Sequence, residues 1–286
     1  MRLLHMSDLH FGYADPRAID ALRRSVVSLA PERVVITGDL TQRARPSQFA
    51  EAAAFVDSLG IPVTLIPGNH DLPLENWARR LLFPRKAFHA AFRTRAGSHA
   101  VEQGYELVGF DTTRVYLPVG GALDPRAVPD MTPGRVVGGA KHWRIALLHH
   151  PPLVPEGIAP ERALRDGIEA LDALGLRGID VVLCGHVHIA SVLVAPAGSP
   201  AAARRVLTIN AGSATCERNP PHEHSFVLIE DCADGLSIAP YRFVEEADAF
   251  HRAPGWTATL DREACWQVEP EGTRASITAS PASLTA

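Results

Sequence analysis

Five short apolar, β-branched runs each end in residues that bind hard or borderline metal ions, and this pattern constrains the chain more than any other feature. The runs cover 2–6, 33–37, 62–66, 143–148 and 179–184. In order, they end in Asp8 and His10 of MSDLH, Asp39 of TGDL, Asn69 and His70 of PGNHD, His149 of LLHHPP, and His186 and His188 of CGHVH. A single Asp or His at a strand end is usually a turn or cap residue. Five such endings are a different matter, because the C-terminal ends of parallel strands converge on one crevice where residues distant in sequence can meet. Mixed nitrogen and oxygen donors suit Zn, Fe or Mn. The i, i+2 spacing predicts that Asp8 and His10, and likewise His186 and His188, share one side of an extended backbone. Gly38, Gly68 and Gly185 each adjoin a candidate ligand and are expected to let the backbone pass close to the site.

Between the runs, 16–29 and 47–59 carry apolar residues at helical spacing. Asp15 and Pro16 read as cap and first turn, and Gly60 as a helix end. A third helix is predicted over 160–174, stopped by Gly175. This alternation is the sequence form of βαβ units and predicts an α/β fold. After Gly185, strand-like runs at 189–194, 204–209, 225–230 and 236–243 follow without helices, predicting an antiparallel portion. The Gly- and Pro-rich stretch 111–142 is expected to be a long functional loop. Residues 1–245 read as one domain, and 246–286, which lose periodicity, as a C-terminal extension with a flexible tail.

With 286 residues, 46% of them hydrophobic, the chain can bury a substantial core. Its 28 Lys and Arg against 32 Asp and Glu give a net charge of -4, so no global positive field gathers nucleic acid, and no nucleic-acid partner is expected. Cys184, Cys216, Cys232 and Cys265 form no CxxC pair and read as reduced thiols of a cytoplasmic protein. No apolar run approaches the ~18 residues of a membrane span. The N-terminus runs straight into Ser7, Asp8 and His10 without a small-residue cleavage site, predicting no removable leader. Nothing in the pattern speaks to oligomeric state.

Taken together and in order, Asp-x-His, Gly-Asp, Gly-Asn-His-Asp, His-His-Pro-Pro and Gly-His-x-His resemble the calcineurin-like metallophosphoesterase superfamily, over Met1 to about Phe243. The resemblance implies a four-layered αββα sandwich of two mixed sheets with a binuclear metal site at the strand ends. Carried over by position, it implies that Asp8, His10 and His188 hold one ion, that Asn69, His149 and His186 hold the other, and that Asp39 bridges both. The cofactors implied are two ions of Mn, Fe or Zn. His70 then looks like the catalytic residue facing the substrate phosphate, with Asp71 behind it fixing the ring. The residues agree, since adjacent Asn69 and His70 on one turn are poorly placed to face the same ion, and a carboxylate commonly orients a catalytic imidazole. His150 is open between a site role and packing. His5 reads as a core histidine, and His222 and His224 as bystanders near the crevice. The stretch 210–215, NAGSAT, resembles a turn the family places near its metals.

The chemistry implied is attack on phosphorus by a hydroxide formed from water between two cations, with protonated His70 serving the leaving group. GDLTQRA lacks the Val-Asp-Arg-Gly continuation of phosphoprotein phosphatases and the GDLFD form of lipid A pathway pyrophosphatases. TGDLT, GNHD and AGSAT look most like bacterial class III cyclic nucleotide phosphodiesterases, so the expected substrate is a small phosphodiester of the 3',5'-cAMP kind. That group usually has a helix before the His-His-Pro strand, and too few residues precede Trp143 to form one here, so 111–139 is expected to shape the pocket differently. A phosphomonoesterase or a nucleotide- or lipid-linked pyrophosphatase on the same metals is the alternative. A DNA exonuclease or a non-catalytic scaffold stands further behind.

Overall fold

The computed structural model describes residues 1–124, 126, 128, 136–137, 140–195, 206–217, 223–261 and 265–272. Two mixed sheets dominate it. In the first, strands Arg2–Met6, Arg33–Thr37 and Val63–Ile66 run parallel, and Ser225–Cys232 and Gly235–Val244 extend it antiparallel from Arg2–Met6. In the second, Tyr105–Gly109, Trp143–Leu147, Val181–Cys184 and Leu207–Ala211 are parallel, flanked by antiparallel His99–Glu102 and Ala190–Val194.

The parallel strands are buried on both faces, which explains their near-continuous apolar sequences. Period-2 alternation sends Leu3, Val35 and Ile66 inward against Leu107, Ile145, Leu147, Val181, Leu183 and Ile209 of the second sheet. Leu4, Val34 and Ile36 point the other way, onto helices Pro16–Leu29 and Pro46–Ser58 through Leu22, Val26, Phe49 and Phe55. Ala146, Val182 and Cys184, on the far face of the second sheet, pack on Ala170, Leu171 and Leu174 of helix Gly167–Leu176. The first helix starts as the sequence predicts: the Asp15 carboxylate accepts from the Arg17 N–H and Pro16 opens the first turn.

Four expectations need correction. The helix predicted over 160–174 is a 3-10 turn at Pro160–Arg162, a short strand Leu164–Arg165 and a helix that begins only at Gly167 and continues through Gly175. Leu164 is drawn out of helical conformation by its N–H bond to the Pro151 carbonyl and its pairing with Gly121. Leu207–Ala211 pairs antiparallel with Ala190–Val194, as expected, but on its other side it runs parallel to Val181–Cys184, because it inserts between the two strands. The stretch 111–142 is not all loop: Thr113–Arg114 and Leu117–Ala122 pair as a hairpin, and Val136–Val137 pairs with Ala140–Lys141. Much of 125–139 lies outside the described residues, as do His222 and the start of the strand predicted from 204. Beyond Glu245, Ala249–Arg252, Trp256–Leu260 and Trp266–Pro270 add to the first sheet, and the Trp266 ring packs tilted against that of Trp143, with centroids 5.4 Å apart. This patterned segment is where the sequence shows no periodicity. No helix among the described residues is long and apolar enough to cross a membrane.

Candidate metal centre

Three parallel strands of the first sheet and two of the second direct their C-terminal ends to one edge, where the expected residues meet. They do not meet by extended i, i+2 spacing. Asp8, His10, Asp39, His186 and His188 all have positive φ, between 49° and 69°, so the turns that bear these candidate ligands coil back on themselves. Left-handed backbone at a non-glycine residue costs roughly 1–3 kcal/mol and persists only where the surroundings over-determine it. Here they do: Asp8 N–H donates to the Gly38 carbonyl and His10 N–H to the Asp39 carbonyl, while Ala214 N–H, Ser213 Oγ and Thr215 Oγ1 grip the carbonyls of Ser7, Asp8 and Leu9. The NAGSAT turn thus holds the loop that carries Asp8 and His10. Two glycines make the close approach possible, since a Cβ on Gly68 would run into Asp39 and one on Gly185 into Ser7 and Asp8.

His188 Nε2 lies 3.1 Å from Asp8 Oδ1, and His10 Nε2 lies 3.6 Å from the same oxygen. On the other side, His149 Nε2 is 3.1 Å from Asn69 Oδ1, and the His149 and His186 rings are 5.1 Å apart. Asp39 sits between the groups, its Oδ2 3.6 Å from His10 Nε2 and 3.3 Å from His149 Nε2. His149 Nδ1–H donates to the Thr37 carbonyl across the sheet interface, which leaves Nε2 facing inward. Asn69 is oriented by donation from Nδ2 to the Pro118 carbonyl of the 113–122 hairpin, a wall the sequence located without showing its contact.

The residues fit metal ions. Both ring nitrogens of His10 and Nε2 of His186 are buried with no hydrogen-bond partner, an arrangement that costs free energy unless a ligand completes it. Donor atoms within each of the sets Asp8–His10–His188 and Asp8–Asp39–His149 lie within 4.8 Å of one another. Burial pushes the Asp39 carboxyl up, but the charges of His149 and His70 outweigh it and hold it below the usual carboxylate range. Burial likewise pulls His149 down, and Asp39 overrides it, raising the imidazole to about 9; a cation at this place would displace that proton. Burial and the His149 charge lower His186 to about 3, keeping its lone pair available.

His70 lines the pocket beside these groups, with its ring 4.8 Å from that of His10. The role expected for Asp71 is corrected here. The ring is held by Nδ1–H donating to the Gln42 carbonyl, whereas the Asp71 carboxylate accepts from the N–H groups of Leu40, Thr41 and Gly68 and from Thr41 Oγ1. Asp71 therefore ties the loop that carries Asp39 to the loop that carries Asn69. His150 is fully buried, its Nδ1 bonded to Thr112 Oγ1 and its ring against His149 and His186. His5 is buried beneath the site, bonded to Thr37 Oγ1, and His224 pairs with Asp15 away from the pocket. The pocket measures about 350 Å³, and its lining includes Arg43, Pro118, Val119 and Arg162, none of which the motifs identify.

Residues 1–190 match the family described as calcineurin-like phosphoesterase. A probable cyclic nucleotide phosphodiesterase of Rhodococcus erythropolis is 29% identical over 237 residues, 75% of this chain and 70% of that one. Another, from Synechococcus sp., is 25% identical over 220 residues, 67% of this chain and 75% of its own. Among solved structures, a purple acid phosphatase from yellow lupin seeds superposes with a TM-score of 0.55 at 13% identity, covering 88% of this chain and 52% of that one, a likeness of fold alone.

Proposed function

The chain belongs to the calcineurin-like phosphoesterase family, and we propose that within it the protein hydrolyses small phosphodiesters, of the cyclic nucleotide kind, on a pair of metal ions held by Asp8, His10, Asp39, Asn69, His149, His186 and His188. The observation that carries this reading is the convergence of those seven side chains at one strand edge, where His10, Asp39, Asn69, His186 and His188 line a polar pocket and Asp8 and His149 lie buried behind it, with five candidate ligands on strained backbone and buried imidazole nitrogens left without partners. The two relatives named as probable cyclic nucleotide phosphodiesterases favour a diester substrate. The candidate ions are Mn, Fe or Zn, the metals that mixed imidazole, carboxylate and amide donors accept.

Two such ions would supply Lewis-acid charge to the phosphoryl oxygens and a nucleophile from water at neutral pH. The chain's own residues do the rest. His70, with Nδ1–H committed to the Gln42 carbonyl, presents Nε2 to the pocket, where in its protonated form it gives a proton to the departing alkoxide. The His70 backbone N–H donates to Asp39 Oδ1 at 2.8 Å, which fixes the distance between this acid and the Asp39 carboxylate. Asp71 holds the Asp39 and Asn69 loops in register, and Pro118 aims Asn69. The test is hydrolysis by Mn-loaded protein of 3',5'-cAMP, bis(p-nitrophenyl) phosphate and p-nitrophenyl phosphate, beside Asp39→Ala. Turnover of both diesters above the monoester, lost in the variant, is expected. Preference for the monoester would refute the diester assignment.

A further inference from the structure

The 350 Å³ pocket is lined by two arginines that differ in their surroundings. Arg43 Nε lies 3.9 Å from Glu75, a carboxylate that also takes both Nε and Nη2 of Arg45, so its charge is partly balanced. Arg162 has no carboxylate partner among the described residues. One Nη2–H donates to the His186 carbonyl at 2.6 Å, and its Nε is buried without a hydrogen-bond partner. The segment that carries it is firmly placed: Arg162 N–H closes the 3-10 turn on Ala159, and Leu164 pairs with Gly121. A partly buried guanidinium with open donors at a pocket wall is stabilised by an arriving anion, and its planar fork matches phosphoryl oxygens.

Resting on the phosphoesterase reading above, we propose that Arg162 binds a phosphoryl oxygen and responds to the second negative charge that the phosphoryl group acquires during hydrolysis. In that reaction water adds its oxygen to phosphorus and the bond from phosphorus to the alcohol oxygen breaks. One water proton goes to the alcohol and the other to solvent, so a monoanionic diester becomes a dianionic monoester. Asp8 and Asp39 set against two divalent cations would leave two net positive charges, balanced by the attacking hydroxide and the entering monoanionic diester together; both negative charges then gather on the one phosphoryl group. The charge of Arg162 counts chiefly for the transition state and for the monoester product. The ligand class it selects is therefore the phosphate dianion.

The experiment uses the Mn-loaded full chain, with orthophosphate as the probe, titrated calorimetrically against wild type, Arg162→Gln, Arg162→Lys and the remote control Arg23→Gln. Arg162→Gln is expected to weaken orthophosphate ~10- to 100-fold, the range of a hydrogen bond to a charged group. The same variant should lower kcat for bis(p-nitrophenyl) phosphate by a similar factor, with KM changed less than ~3-fold, because the lost contact forms mainly in the transition state. Arg162→Lys should recover part of both, and metal content per chain should stay at the wild-type value in all variants. Orthophosphate affinity unchanged by Arg162→Gln at full metal content would overturn the assignment. So would a loss of metal that parallels the loss of affinity, since Arg162 would then act only by propping His186. The titration needs no turnover: a wild type that hydrolyses no phosphoester but binds orthophosphate through Arg162 would sink the phosphodiesterase reading and leave this assignment standing.

Discussion

Replacing Asp71 with Asn separates the loop-tying role of this carboxylate from the ring-orienting role that the GNHD motif suggests. Oδ2 accepts from Leu40 N at 3.1 Å and Gly68 N at 2.9 Å, and Oδ1 from Thr41 N at 2.8 Å and Thr41 Oγ1 at 3.0 Å. Whichever way an Asn amide is turned, its NH2 faces at least one backbone N–H. With NH2 in the Oδ1 place only Thr41 N–H is opposed, because the hydroxyl can turn to accept. That leaves one lost charge-assisted bond and one unsatisfied buried donor, about 2–4 kcal/mol. Burial and the Asp39 charge raise the Asp71 carboxyl to about 6, so it is still mostly ionised at neutral pH, and the charge-assisted bonds are intact there. For a chain of this size the destabilisation corresponds to roughly 3–7 °C in Tm. Thermal unfolding of the metal-loaded protein reads it directly, alongside turnover of 3',5'-cAMP. A variant that unfolds with wild type but loses turnover as His70→Ala does would refute the reasoning and restore Asp71 as the partner of the ring.

Three further outcomes follow from the same geometry. His70→Ala should retain both metals yet lose ~10²- to 10⁴-fold in turnover of alkyl diesters, with a smaller loss on p-nitrophenyl diesters, whose leaving group needs no proton; equal losses on both would remove the acid role. Gly185→Ala places a methyl against Ser7 and 2.5 Å from Asp8 Oδ2, which should cost ~1–3 kcal/mol and weaken metal retention, to be measured by chelator competition. Burial lowers His5 to about 3 from an unfolded value of 6.5. The unfolded chain therefore binds the extra proton, and the stability conferred by neutral His5 is full above pH 6.5 and lost as pH falls toward 3. Urea unfolding at stepped pH should show wild type losing about 1.4 kcal/mol per pH unit more than His5→Leu between pH 5.5 and 4, and parallel profiles would contradict the assignment.

The site was legible because each of its motifs is local. Asp8, Asp39, Asn69, His149 and His186 each follow an apolar run by one to three residues, and burial of both strand faces makes those runs unmistakable. What the sequence concealed depends on contacts across the fold. The Thr37, Gln42 and Pro118 carbonyls orient His149, His70 and Asn69, and a backbone carbonyl leaves no mark on residue identity. Arg162 sits in a segment whose apolar spacing reads as helix, and only the pull of Pro151 and Gly121 on Leu164 reveals otherwise. The parallel placement of Leu207–Ala211 is likewise a matter of which edge remains free in the second sheet. The strands after Glu245 are four or five residues long and mostly half-exposed, so their alternation is too weak to read.

The most direct test of a two-metal phosphodiester hydrolase is a titration of the metal-stripped chain with Mn, following bound metal per chain and turnover of bis(p-nitrophenyl) phosphate together. The account predicts turnover that rises to a plateau only as the second equivalent binds, and an Asp39→Ala chain that never reaches it. Full turnover in the stripped chain, or a plateau at one equivalent, would contradict it.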